Sequence, residues 1–206
     1  MTLQRKPMKA LLIIDVQNDF CPNGSLAVTD GDKIVPLIND LIVQAFRVGD
    51  LVVATQDWHP AGHGSFASAH NAQAFSMGKL GGQPQVMWPD HCIQDTKGAE
   101  FHPDLLDVPN VFCKGMDPTV DSYSGFFDND GKNPTGLDAF LKEHGVTEVT
   151  ICGLATDYCV KFTALDAVKL GYVTKVNIWA SRGVNNPPGS IDRALQDMKD
   201  VGVKLI

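Results

Sequence analysis

Cys159 stands where a thiol can be put to chemical use. It follows the short apolar run Val149–Leu154, and from Cys159 to Val168 apolar residues recur at helical spacing. The pattern predicts a buried strand that delivers the thiol to a helix start, whose positive end lowers a thiol pKa from about 8.5 toward neutrality. Free amides at such a turn can hold an oxyanion. The bland alternative is a small buried residue on a helix face, the commoner fate of a cysteine. Two further strand ends shift that balance: Leu11–Ile14 runs into Asp15, and Val111–Cys113 runs into Lys114. Ligands of an open parallel sheet bind beyond the carboxyl ends of its strands, so Asp15, Lys114 and Cys159 can converge on one crevice.

The long stretch from Trp58 to Pro109 is rich in Gly, His, Pro and Ser and carries no sustained periodic pattern. Loops of that length inside a domain are usually functional or disordered. Asp57 and His59 are two residues apart, a spacing that an extended segment directs to one side, and His91 follows in Trp88-Pro89-Asp90-His91-Cys92. One carboxylate with two imidazoles suits a divalent transition metal with open positions, although solvated loop histidines would give the same letters. Cys92 and Cys113 adjoin His91 and Lys114, and alternation turns them toward packing; Cys152 lies inside the strand, and Cys21 falls in a loop.

These residues must be held by a frame, and alternating apolar runs and helical patterns predict one. Strands are expected at Ala10–Val16, Leu51–Gln56, Val111–Lys114, Val149–Leu154, Val173–Trp179 and Val203–Ile206, with helices at Asp32–Phe46, Gly136–Glu143, Asp157–Leu170 and Ser190–Val201. That gives a single doubly wound α/β domain over residues 1–206, a mainly parallel six-stranded sheet with helices on both faces. A length of 206 residues supports one substantial core. The formal charge of −7 and the lack of a basic stripe argue against nucleic acid or a membrane surface as partner and favour a small molecule. Five scattered cysteines do not form a secreted disulfide framework. Met1–Met8 leads only into a short apolar run, so neither a signal peptide nor a membrane span is expected; the expected location is the cytoplasm.

Asp15-Val16-Gln17-Asn18-Asp19-Phe20, Asp57-Trp58-His59-Pro60, Trp88-Pro89-Asp90-His91-Cys92, Lys114-Gly115 and Gly153-Leu154-Ala155-Thr156-Asp157-Tyr158-Cys159-Val160 together resemble the nicotinamidase/pyrazinamidase family of isochorismatase-like cysteine hydrolases, in the family's order and over nearly the whole chain. The resemblance implies hydrolysis of nicotinamide, and of pyrazinamide, through a cysteine thioester in NAD recycling. It implies Cys159 as nucleophile, Asp15 as general base and acid, and Lys114 as stabiliser of their charges. It further implies an oxyanion hole from the amides of Ala155 and Cys159 with a cis peptide at Leu154–Ala155, and a pocket lined by Phe20, Trp88, Tyr123, Leu154 and Ala155. Asp57, His59 and His91 would hold one divalent metal, zinc first, with iron or manganese as alternatives; His63 stays outside that set. The sequence itself does not specify an oligomeric state and leaves a homo-oligomer open.

Three rivals keep part of the pattern. An isochorismatase-type enzyme would lack Cys159 and the Asp57, His59, His91 set. A metal-hydroxide hydrolase would leave Cys159 structural, and a binding or redox module would keep only the fold.

Overall fold

Strands that are apolar on both faces belong at the centre of a parallel sheet, and the computed structural model, which describes residues 8–206, places them there. The expectation for the N-terminal segment falls on residues 1–7 and lies outside the described residues. The main sheet contains β1 (Met8–Ile14), β2 (Leu51–Asp57), β5 (Asn110–Lys114), β6 (Val146–Leu154), β7 (Val173–Arg182) and β8 (Lys204–Leu205). All pair in parallel, in the order β5-β2-β1-β6-β7-β8. This is the doubly wound order, whose topological switch point lies between β1 and β6.

Alternation along β1 divides the core. Leu11 and Ile13 face the cluster containing Ile38 and Ile42 of α1 (Val35–Val48). Leu12 and Ile14 face the cluster containing Leu137 and Leu141 of α2 (Leu137–Glu143), Ala164 and Ala167 of α3 (Lys161–Lys169) and Met198 of α4 (Ser190–Asp200). Helices thus cover both faces, as the sequence pattern requires.

The differences from expectation are local. β1 ends at Ile14 rather than Val16, because Asp15 turns to a left-handed backbone, φ 47°. The helix expected from Asp32 starts as a 3-10 turn over Gly31–Ile34 before α1. The helix expected from Asp157 starts as a π-helical turn over Thr156–Val160, ahead of α3. β7 runs on to Arg182 because a bulge resets its register against β6, from Ile151 opposite Val176 to Gly153 opposite Ser181. Asn177 makes that bulge possible: its side-chain oxygen accepts the N–H groups of Trp179 and Ala180, both at 3.1 Å.

The stretch 58–109, read as patternless, contains an antiparallel hairpin of β3 (Met77–Leu80) and β4 (Gln83–Val86). Gly81 and Gly82 form its two-residue turn with φ of 56° and 81°, the backbone a tight hairpin demands. Neither strand carries an apolar alternation, so only the paired glycines announced them.

Candidate active site

Four strand ends converge at the switch point. Asp15 follows β1, Asp57 ends β2, Lys114 ends β5, and the turn holding Cys159 follows β6. Asp15, Asp57, Lys114 and Cys159 are all buried. A buried ammonium is costly unless it is fully paired. Lys114 Nζ donates to Asp57 Oδ1 at 2.9 Å, to the Ser122 carbonyl at 2.8 Å and to Cys159 Sγ at 3.4 Å. Those contacts use its three protons. It also lies 3.0 Å from Asp15 Oδ2, yet that oxygen receives no hydrogen bond of acceptable angle. Asp15 Oδ1 accepts from the Thr55 hydroxyl at 2.7 Å. One oxygen of Asp15 is therefore anchored, while the other sits against a positive charge with a lone pair free for a proton.

Burial pushes the Asp15 carboxyl up, and the Lys114 charge only partly opposes it. Burial also pushes the Cys159 thiol well above its ordinary value; Lys114 pulls it down, whereas the charge of Asp15 pushes it up. This corrects the expectation of a thiol lowered toward neutrality. The turn around Cys159 closes through the Ala155 carbonyl, which accepts from Tyr158 N–H at 3.0 Å and Val160 N–H at 3.1 Å, but desolvation of the sulfur outweighs the helix end. Burial thus raises the proton affinity of both groups, so the thiol holds its proton beside an Asp15 carboxyl made a stronger base than usual. Lys114 stays charged, because Asp15 and Asp57 together overcome the burial that would discharge it.

The second cluster shares Asp57. Ligand atoms of Asp57, His59 and His91 all lie within 4.8 Å of one another. His59 Nε2 is 3.3 Å from Asp57 Oδ1, and His91 Nε2 is 3.6 Å from Asp57 Oδ2. His59 Nδ1 donates to the Gly115 carbonyl and His91 Nδ1 to the Pro89 carbonyl, each at 2.8 Å. A carbonyl can only accept, so each ring carries a proton on Nδ1 and turns Nε2 toward the carboxylate, where it would face a metal. That is the donor set and tautomer of a divalent-metal site. Burial works against ionising Asp57, but His59 and Lys114 hold it well below the usual carboxylate range, so the ligand is anionic. Phe66, fully buried, packs its ring 5.4 Å from His59 and 5.5 Å from His91 and keeps the cluster dry.

The sequence explains this precision residue by residue. Gln17 pins the end of β2 from the end of β1: its side chain accepts Asp57 N–H and donates to the Asp57 carbonyl, both at 2.8 Å. Asp19 Oδ2 accepts Cys92 N–H at 2.7 Å and fixes the turn after His91. Gly115 has φ 67°, and a Cβ there would lie 2.5 Å from His59 Cε1, so the residue after Lys114 must be glycine for His59 to reach its place. His63 is spent elsewhere. Its Nε2 donates to the Asp117 carbonyl at 2.7 Å and its Nδ1 accepts from Ser65 N–H at 3.1 Å, which leaves it outside the ligand set.

A pocket lies over both clusters, lined by Phe20, Leu26, Asp57, Trp88, His91, Asp121, Tyr123, Ala155, Tyr158, Cys159 and Val184. The expected aromatic walls are present: Trp88 stands edge-on to Tyr158 at 4.8 Å and to Tyr123 at 6.3 Å. The peptide Leu154–Ala155 is cis. Leu154, expected on the wall, is fully buried and is not among the residues lining this pocket; it packs in the core cluster that includes α1. The thiols of Cys92, Cys113, Cys152 and Cys21 are all raised by burial. Thr55, Gln17, Ser122, Tyr158 and Asp121 were not anticipated. All five sit within two residues of an expected site residue, Asp15, Asp57, Tyr123 or Cys159, the signal that could have found them.

The fold and site together define a class: an α/β protein with a thiol, a carboxylate and an ammonium in one buried group, beside a place for a divalent metal. An isochorismatase-domain family model matches residues 9–177. The chain is 49% identical to the Escherichia coli nicotinamidase over 201 residues, covering 97% of this chain and 94% of that protein. Among solved structures it is similar to an Acinetobacter baumannii nicotinamidase/pyrazinamidase (TM-score 0.92, 46% identity, 98% and 97% of the two chains). It is also similar to a Pyrococcus horikoshii pyrazinamidase in complex with zinc (TM-score 0.81, 39% identity, 97% and 99%). The chain belongs to the isochorismatase family.

Proposed function

We propose that this chain is an amidohydrolase that converts nicotinamide to nicotinate and ammonia, with pyrazinamide as a further substrate, in the recycling of NAD. The observation that carries the reading is the free lone pair of Asp15 Oδ2 beside the thiol of Cys159, with Lys114 Nζ in contact with both. Near-full-length similarity to nicotinamidases supports the substrate.

The route is acyl transfer. Asp15 Oδ2 takes the thiol proton, and Sγ attacks the carboxamide carbon. The backbone amides of Ala155 and Cys159 receive the oxyanion, while Lys114 balances the charge that moves between sulfur and carboxylate. Asp15 returns the proton to the departing nitrogen, ammonia leaves, and a thioester remains on Cys159. Asp15 then takes a proton from water as the water oxygen attacks the thioester carbon; the carbon–sulfur bond breaks, Sγ recovers the proton, and nicotinate is released. Asp57, His59 and His91 would hold one divalent metal, zinc first, with iron and manganese as alternatives. Bound there, it would supply Lewis acidity toward a ring nitrogen of the substrate, and these residues would thereby position the carboxamide for attack. Phe20, Trp88 and Tyr123 flank a flat heteroaromatic ring.

A metal-hydroxide route is less favourable, since it leaves the Asp15, Lys114 and Cys159 arrangement without a task. The expected location is the reducing cytoplasm, which suits a free thiol nucleophile. Among the described residues, no helix is long and apolar enough to cross a membrane. The test is ammonia release from nicotinamide and from benzamide, in metal-loaded and metal-stripped protein. Nicotinamide should greatly outperform benzamide, and stripping should erase the preference; a preference unchanged by stripping would overturn the orienting role of the metal.

A further inference from the structure

One buried acid on the pocket wall has no part in the proposed route. Asp121 is 3% exposed and lines the cavity shared by Asp57, His91 and Cys159. Its partners are neutral: Oδ1 accepts Ser122 N–H at 2.8 Å, and Oδ2 accepts Gln85 Nε2 at 2.7 Å. Among the described residues no lysine, arginine or histidine pairs with it; the ammonium of Lys114 is committed to Asp15 and Asp57, and His59 and His91 face Asp57. A buried carboxylate without a counter-cation is costly. The structure nevertheless brings Gln85 in from β4, a hairpin outside the main sheet, to satisfy it. The charge of Asp121 is felt at the pocket wall: after burial, it pushes the phenol of the nearby Tyr123 up.

The substrate and product of the proposed reaction differ in charge. A carboxamide is neutral, whereas the carboxylate that replaces it is an anion, which both Lys114 and a metal held by Asp57, His59 and His91 would attract. We propose that Asp121 is a specificity-determining residue that biases the pocket toward a neutral pyridine carboxamide and against the corresponding carboxylate, so that product is expelled. Its charge opposes the local cations, and it acts on the ratio of the two affinities rather than on bond breaking. The inference rests on the amidohydrolase reading of the same pocket.

The test compares wild type with Asp121→Asn, each fully metal-loaded with metal content verified. Binding of nicotinamide and of nicotinate is measured by calorimetry in the Cys159→Ala background, and product inhibition by nicotinate is measured in the Cys159 enzymes. Nicotinate should bind the Asp121→Asn protein at least about tenfold more tightly while nicotinamide affinity changes less than about twofold. Asp121→Glu should restore the wild-type ratio. An unchanged ratio, or equal change in both affinities, would overturn the proposal. Should Asp121→Asn fail to fold, Asp121→Ser keeps an oxygen acceptor for Gln85, drops the charge, and must give the same shift. Failure of the amidohydrolase reading is a separate result: the wild-type enzyme would then release no ammonia from nicotinamide.

Discussion

Replacing Lys114 by Met removes an ammonium and nearly preserves volume, and it strikes both clusters at once. The Nζ–Sγ separation of 3.4 Å corresponds to about 5 kcal/mol between full charges at an effective dielectric near 20. Sulfur carries full charge only briefly, and water entering the cavity would recover part of the loss. Half of that energy is roughly a hundredfold in rate and all of it a few thousandfold, so kcat for nicotinamide should fall within that range. Stability should fall too, because Asp15, 3.0 Å away, and Asp57, 2.9 Å away, become buried carboxylates without their cation. Removing one partner of a buried pair costs about 3–5 kcal/mol. The assay is ammonia release at saturating nicotinamide, in Lys114→Met and wild type matched for metal content, together with a urea unfolding curve. A folded variant whose kcat stays within about tenfold of wild type would refute the role given to Lys114.

Asp15→Asn keeps shape and loses the base; kcat should drop by about 10²–10⁴ with metal content unchanged, and near-wild-type turnover would remove Asp15 from the route. Gly115→Ala places a Cβ 2.5 Å from His59 Cε1 at a φ of 67°, so bound metal per chain and turnover should fall together; elemental analysis finding full metal content would contradict the packing argument. The buried thiols set an alkaline limit. Burial pushes Cys152 up to about 12 and Cys21 up to about 11, whereas an unfolded thiol ionises near about 8.5. The folded protein keeps protons that the unfolded chain gives up, so stability is full below about pH 8.5 and declines as pH rises toward the folded values, by about 1.4 kcal/mol per unit for each thiol. Unfolding free energies between pH 8 and 10 should show a shallower decline in Cys152→Ala, and an unchanged slope would refute this origin.

Much of the frame was legible because strands buried on both faces read as continuous apolar runs, and β1, β2, β5 and β6 each end in, or lead directly into, a segment carrying a residue with a chemical task. Asp15, Lys114 and Cys159 could be named from those ends, whereas the trio Asp57, His59 and His91 needed the family resemblance, because ligand type alone is equally met by solvated loop histidines. What stayed hidden depends on distant partners. The hairpin of β3 and β4 has no apolar alternation, so the delivery of Gln85 to Asp121 leaves no periodic trace. The bulge in β7 depends on one asparagine side chain. A helix start at Cys159 is visible in the sequence, whereas burial of the sulfur, and the opposing charges of Lys114, Asp15 and Asp57 around it, arise only when distant strand ends meet. The family resemblance puts Leu154 on the pocket wall, whereas its side chain is fully buried in the core and does not line the pocket.

The most direct measurement is nicotinamide turnover by Cys159→Ala at a metal content equal to wild type, with Cys92→Ala as control. The thioester route requires that Cys159→Ala release no ammonia above background while it still folds and holds its metal, and that Cys92→Ala remain within a few-fold of wild type. Substantial turnover by metal-loaded Cys159→Ala would contradict covalent catalysis and leave the metal-hydroxide route in its place.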